Sequence, residues 1–85
     1  MALEILYFAW VREAIGKDGE SVEPPDSVGT VGDLVGWLAE RGGGYAEALA
    51  DRHKLRVAVD QVFAGFDTSI FDASEVALFP PVTGG

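Results

Sequence analysis

Two glycines, Gly84 and Gly85, close the sequence after Pro80-Pro81-Val82-Thr83. These residue types in this order suit chemistry at a terminal carboxylate. Glycine has no Cβ, so a Gly-Gly end can enter a channel too narrow for bulkier residues. Proline fixes φ, and the β-branched Val82 and Thr83 are stiff at χ1. Residues 80–85 are therefore expected to leave the folded body extended, with a reach of up to ~20 Å at ~3.3 Å per residue. A frayed end or an expression scar could also finish in glycine. Neither requires a Pro-Pro stiffener directly after an apolar strand. A terminal carboxyl group ionises near ~3.5, so Gly85 is expected to be an anion and a poor electrophile at neutral pH. Group transfer through it needs prior activation.

The rest of the composition removes other chemistries. There is no cysteine among the 85 residues, which excludes disulfides, thiolate metal sites and cysteine nucleophiles. The single His53 stands in Asp51-Arg52-His53-Lys54, and no histidine-rich metal site can be built from it. It reads as a solvated loop residue. Fourteen acidic against six basic residues give a net charge of -8. That disfavours nucleic acid, where phosphate neutralisation dominates affinity, and suits docking on basic partner surfaces. No apolar run approaches the ~18 residues of a membrane span, and no basic stretch precedes the first apolar segment. The expectation is a cytoplasmic protein with no membrane partner.

The elements that must position the tail follow from periodicity. Ala2 to Trp10 reads as a strand with both parities apolar beyond Glu4, which predicts a central strand. Arg12 to Gly16 reads as a turn of helix, and Ser21-Val22-Glu23 as a short strand ended by Pro24-Pro25. Thr30 is a helix N-cap with Asp33 in the reciprocal position. Val31, Leu34, Leu38 and Arg41 then repeat at helical spacing until Gly42-Gly43-Gly44, expected to stop the helix. That triple glycine lacks the lysine and spacing of a phosphate loop. Gly32 and Gly36 would mark close helix–sheet approach. Tyr45 to Asp51 is expected to form a second, short helix. Leu55 to Asp60 alternates as a strand, Gln61 to Phe66 follows a tight turn at Asp60-Gln61, and Glu75 to Phe79 is the last strand.

Strand, strand, helix, strand, strand, strand in a chain this short gives a two-layer α+β fold. It is a β-grasp (ubiquitin-like) arrangement: a mixed sheet of about five strands with one main helix packed across it. The first and last strands are expected to lie side by side and parallel. Residues 1–79 would form this domain and 80–85 the tail. With Leu3, Ile5, Tyr7, Leu55, Val57, Val59, Val76 and Leu78 toward the helix, the opposite face carries Leu6, Phe8, Ala77 and Phe79 among charged edges. An apolar patch with a polar rim is what a protein interface presents. Phe8, Phe79, Pro80, Pro81, Val82 and Thr83 are thus the candidate partner-binding residues, and Gly84 and Gly85 the candidate reactive end.

The terminal Leu78-Phe79-Pro80-Pro81-Val82-Thr83-Gly84-Gly85 closely resembles the C-terminus of the molybdopterin synthase small-subunit family, ubiquitin-like sulfur carriers of molybdenum cofactor biosynthesis. Tyr7-Phe8-Ala9 with Arg12-Glu13, the Ala58-Val59-Asp60-Gln61 turn and the Asp72-to-Ala77 run match other family segments in order. Asp60 stands where the family usually has Asn, and Ala73-Ser74 where it has Gly-Asp. The resemblance implies that Gly85 is adenylated by an ATP-using enzyme resembling the ubiquitin activators, then converted to a thiocarboxylate. It implies a large catalytic subunit that receives the tail and uses two such sulfurs to build the dithiolene on cyclic pyranopterin monophosphate. The family assembles as a heterotetramer. This chain would bind no cofactor or metal itself and would not be catalytic alone; ATP belongs to the activating enzyme. A carrier for thiazole, cysteine or tRNA thiolation, a protein modifier forming isopeptide bonds, and a passive interaction module remain open.

Overall fold

A computed structural model describes residues 2–81. Its elements are β1 (Leu3–Tyr7), α1 (Ala9–Ile15), β2 (Gly19–Val22), α2 (Val31–Ala39), α3 (Gly43–Leu49), a 3-10 turn (Arg52–Lys54), β3 (Arg56–Val59), β4 (Val62–Ala64) and β5 (Glu75–Phe79). The five strands form one mixed sheet in the order β2-β1-β5-β3-β4. β1 and β5 run parallel, with Glu4 opposite Glu75 and Tyr7 opposite Leu78. β3 is antiparallel to β5, with Arg56 opposite Phe79 and Val59 opposite Val76. This is the β-grasp arrangement the element order predicts.

The alternation in the strands decides which face is buried. Leu3, Ile5, Tyr7, Leu55, Val57, Val76 and Leu78 are buried against Val31, Leu34, Val35 and Leu38 of α2, while Val59 is half-buried. α2 starts as expected: the Thr30 hydroxyl accepts from the Asp33 N–H at 3.1 Å. The Asp33 carboxylate reaches back one residue further than a capping box requires, to the Gly29 N–H at 3.2 Å. The β3–β4 hairpin turns on Asp60 and Gln61, both at positive φ (49° and 70°), as a two-residue primed turn demands. The Asp60 carboxylate then accepts from the Ser74 and Glu75 N–H groups at 2.9 and 3.0 Å, fixing the start of β5. Acceptor oxygens are all that role needs, so Asp serves as well as Asn.

Three expectations are corrected. The first strand ends at Tyr7 rather than Trp10: Ala9 takes φ 54° and Trp10 belongs to α1. Beside α2, the expected second helix α3 does bring Ala48 and Leu49 into the core, and Val11 of α1 joins them. The triple glycine is not a terminator. α2 ends at Ala39, and Gly43 and Gly44 are the first residues of α3. Gly44 is there because α3 crosses α1 at backbone contact, where a Cβ would lie 1.9 Å from the Ala14 carbonyl oxygen. Close helix–sheet approach does not explain Gly32 either; a Cβ there would meet the Arg52 guanidinium and the Phe66 carbonyl at 3.0 and 3.1 Å.

Candidate functional site

The site is built around the end of β5, where the tail begins. Tyr7 and Leu78 are paired, and the Phe8 N–H donates to the Leu78 carbonyl at 3.1 Å. Phe8 lies just outside β1 but keeps an extended backbone (φ -126°, ψ 152°). The alternation from buried Tyr7 therefore turns Phe8 to the outer face, where it is 46% exposed. Phe79, last residue of β5, is half-buried on the same face. Strand register lines up Leu6, Ala77, Ala58 and Phe63 as one row across that face. Phe63 is 78% exposed, and its ring lies 5.9 Å from that of Phe79. Arg56, Val57 and Ala64 join these two rings around a notch of about 350 Å³. Glu4 and Glu75 form an acidic row at the opposite end of the strands, and Arg56 flanks Phe79. The outer face is thus an aromatic patch with charged margins.

Phe63 is the residue sequence reasoning passed over. Gln61 to Phe66 was legible only as a short extended piece, and its parity cannot be set without the β3–β4 register. The Asp60-Gln61 turn was the available signal, because a two-residue hairpin puts Phe63 opposite Ala58.

The tail root has a second flank. Pro80 and Pro81 line a groove of about 950 Å³ together with Trp10 and Glu13 of α1, Glu47 of α3, and Asp51 and Lys54 around the 3-10 turn. α3 is held in place by a polar clasp. Glu20 Oε2 accepts from the Tyr7 hydroxyl at 2.7 Å and the Tyr45 hydroxyl at 2.6 Å. Its Oε1 takes the Arg41 guanidinium at 3.0 Å. Arg41 also lies over the Trp37 and Tyr45 rings, 5.2 and 5.0 Å from their centroids. Burial works against ionisation of Glu20, but the hydrogen bonds from Tyr45, Tyr7 and Arg41 outweigh it and hold its carboxyl at about 2. Burial, with the Glu20 carboxylate as acceptor, pushes Tyr7 far above the usual phenol range. The clasp is structural: it joins β1, β2 and α3 behind the tail groove. Arg41, expected on the apolar stripe of the main helix, serves here instead.

Among the described residues, no group of His, Asp and Glu side chains is arranged to hold a metal ion. No helix there is long and apolar enough to cross a membrane. Val82, Thr83, Gly84 and Gly85, four of the sequence-predicted site residues, lie outside the described residues. Phe8, Phe79, Pro80 and Pro81 are brought together at one end of the sheet.

The ThiS family profile matches residues 5–85, from the middle of β1 through the last glycine. The chain belongs to the ThiS family. Within it, the chain is 42% identical over 83 residues to the molybdopterin synthase sulfur carrier subunit of Escherichia coli, covering 98% of this chain and 99% of that one. It is 30% identical over 93 residues to small archaeal modifier protein 3 of Haloferax volcanii, with both chains fully covered. Among solved structures, a molybdopterin converting factor subunit 1 from Pyrococcus furiosus superposes with a TM-score of 0.77 at 26% identity, covering 96% of this chain and 99% of that one. The resemblance read from the terminal segment holds over the full chain.

Proposed function

We propose that this chain is the sulfur carrier subunit of a molybdopterin synthase, working in the cytoplasm through its Gly85 carboxylate. The observation that carries this is the end-to-end similarity to a sulfur carrier subunit of that synthase, at 42% identity, with the family match running through residue 85. An ATP-using adenylating enzyme would convert the unreactive Gly85 carboxylate to an acyl-adenylate, and sulfur would displace AMP to leave a thiocarboxylate. With no cysteine in the sequence, that end is the covalent sulfur site the chain offers. The large synthase subunit would take the tail and supply the acid–base groups, while this chain supplies sulfur and position. The aromatic face of Phe8, Phe63 and Phe79 next to the tail root fits the docking role, since an apolar patch and a short reactive arm can engage one partner together.

Mass spectrometry of the intact chain, isolated under mild reducing conditions from its native host, tests this reading. Replacement of one oxygen by sulfur at Gly85, and its loss on incubation with the large subunit and pterin precursor, are the expected results. Deleting Gly85, or adding one residue after it, should abolish the thiocarboxylate and leave the fold intact. Full sulfur transfer by the extended chain would sink the proposal. The similarity to an archaeal modifier protein favours a second reading, in which Gly85 forms isopeptide bonds. Its mark would be the chain attached to a lysine of another protein.

A further inference from the structure

Phe71 is 71% exposed, yet it stands on a fixed support. Its ring lies over Gly29, where a Cβ would come within 3.6 Å of it. The Phe71 N–H donates to the Ser69 hydroxyl at 3.3 Å, and the Ala73 N–H closes the turn on the Ile70 carbonyl at 3.1 Å. Facing it is a second turn, in which the Val28 N–H donates to the Pro25 carbonyl at 2.9 Å. The Ile70 N–H ties the two turns together through the Gly29 carbonyl at 3.0 Å. Pro24, Pro25, Val28, Ile70 and Phe71 line an open groove of about 150 Å³ between them. That is about the volume of one ring-sized apolar group. A preformed groove costs little ordering when it is filled. Leu3, where β1 begins, and Ala73, just before β5, also line it. The five residues of β5 then run ~16 Å at ~3.3 Å per residue to the root of the tail. The groove therefore lies a strand's length from Phe79 and belongs to neither flank of the tail root.

The rim decides the charge of the occupant. Asp26 lines the groove, and Glu23 and Asp72 adjoin its walls in sequence; all three are exposed. None is in an ion pair among the described residues, and no lysine or arginine among them lines the groove. Such a rim repels nucleic acid and anionic lipid. It also repels a second copy of this chain, which brings the same rim and a net charge of -8. A cationic protein segment is complementary to it. We infer that this groove is a docking site for a basic amphipathic segment of a partner protein. One apolar side chain of the partner seats against Phe71 and Pro25, and flanking arginines or lysines face Glu23, Asp26 and Asp72. A partner seated there leaves the Phe63–Phe79 face uncovered. The domain can thus be held at one end by one protein while another engages it at the other.

The test titrates two blocked peptides into the isotope-labelled full chain at low salt, followed by amide NMR shifts. One is Arg-Arg-Leu-Trp-Arg-Arg; the other, without the apolar pair, is Arg-Arg-Ser-Gly-Arg-Arg. Shifts with the first should saturate and centre on residues 26–29 and 70–73. The second should bind at least ~10-fold more weakly, and Phe71→Ser should weaken the first by a similar factor, as loss of an anchor does. Asp26→Asn combined with Asp72→Asn should flatten the salt dependence, while Phe63→Ser should leave binding unchanged. Absence of saturable binding, shifts spread over the acidic surface or centred on Phe63 and Phe79, or equal affinity for the two peptides would each overturn the inference. So would shifts at 70–73 that grow with protein concentration in the absence of peptide, which would give the groove to a second copy. The wild-type map needs no variant, so a folding defect in one variant does not decide the outcome. Failure here leaves the sulfur-carrier reading untouched, because thiocarboxylate formation is measured separately.

Discussion

Phe79 and Phe63 are the residues that best test the proposed docking face. Their rings meet at 5.9 Å, and neither packs into the main core. Truncating either to alanine should weaken association with the large subunit by ~1–2 kcal/mol or more if it is a buried anchor. Phe8→Ala should act in the same direction. None should unfold the protein, whereas Leu34→Ala in the core should cost ~2–5 kcal/mol of stability. Isothermal titration and urea denaturation on the same variants separate the two effects. Unchanged affinity in all three aromatic variants would place the docking face elsewhere. Phe8 and Phe79 were legible in the sequence because strand parity alone assigns them. Phe63 was not, because its parity depends on a partner strand.

Among the elements, α3 depends most on contacts that span the chain. Its first turn is pressed on α1 at Gly44, and its Tyr45 is tied to Glu20 of β2. Gly44→Ala should destabilise by ~1–3 kcal/mol, since the new Cβ must displace backbone. Gly36→Ala should instead stabilise by ~0.5–1 kcal/mol, because its nearest neighbour would be a guanidinium atom at 3.8 Å and alanine is the better helix former. Thermal melts of the pair give opposite signs if the packing is as described. The Glu20 clasp predicts a pH dependence. Its folded carboxyl titrates near 2, below the 4.5 of an unperturbed glutamate. The folded state therefore binds fewer protons than the unfolded state between those values, and stability falls as pH drops through that window. Glu20→Gln should cost ~1.5–3 kcal/mol at neutral pH, the range for hydrogen bonds to a charged group, and should flatten the acid side of the profile. A variant with the same acid slope as the wild type would remove Glu20 from this role.

At the scale of the whole molecule, charge and topology act together. The net charge of -8 gives the domain a long-range negative field, while the sheet face that would dock is largely apolar. Association with a basic partner surface should then slow by ~10-fold or more from low to high salt, with dissociation changing far less. Stopped-flow measurements at several ionic strengths check this; a salt-independent on-rate would mean the field plays no part in encounter. Topology adds that β1 and β5 are parallel neighbours near the centre of the sheet, so the tail leaves from the best-supported strand. A reactive arm is placed more reproducibly from such a strand than from an edge.

The sequence alone determined what is local. Period-two and helical spacing assigned the inner faces of β1, β3, β5 and α2; Thr30 marked a cap; and Asp60-Gln61 marked a hairpin. Backbone and side-chain sterics act within a few residues, so these signals survive without a partner. The terminal chemistry proposed for Gly84 and Gly85 rests on residue types alone, since residues 82–85 lie outside the described residues. Tertiary structure decided the rest. The end of β1 at Tyr7 and the entry of Trp10 into α1 follow from how α1 packs over the sheet end. Gly43 and Gly44 open a helix because α3 must touch the backbone of α1, a demand invisible in a run of three glycines. The joining of Glu20 to Tyr7, Arg41 and Tyr45 brings together residues far apart in the chain. Only strand register and helix crossing set such distances, and these are properties of the closed core rather than of any segment.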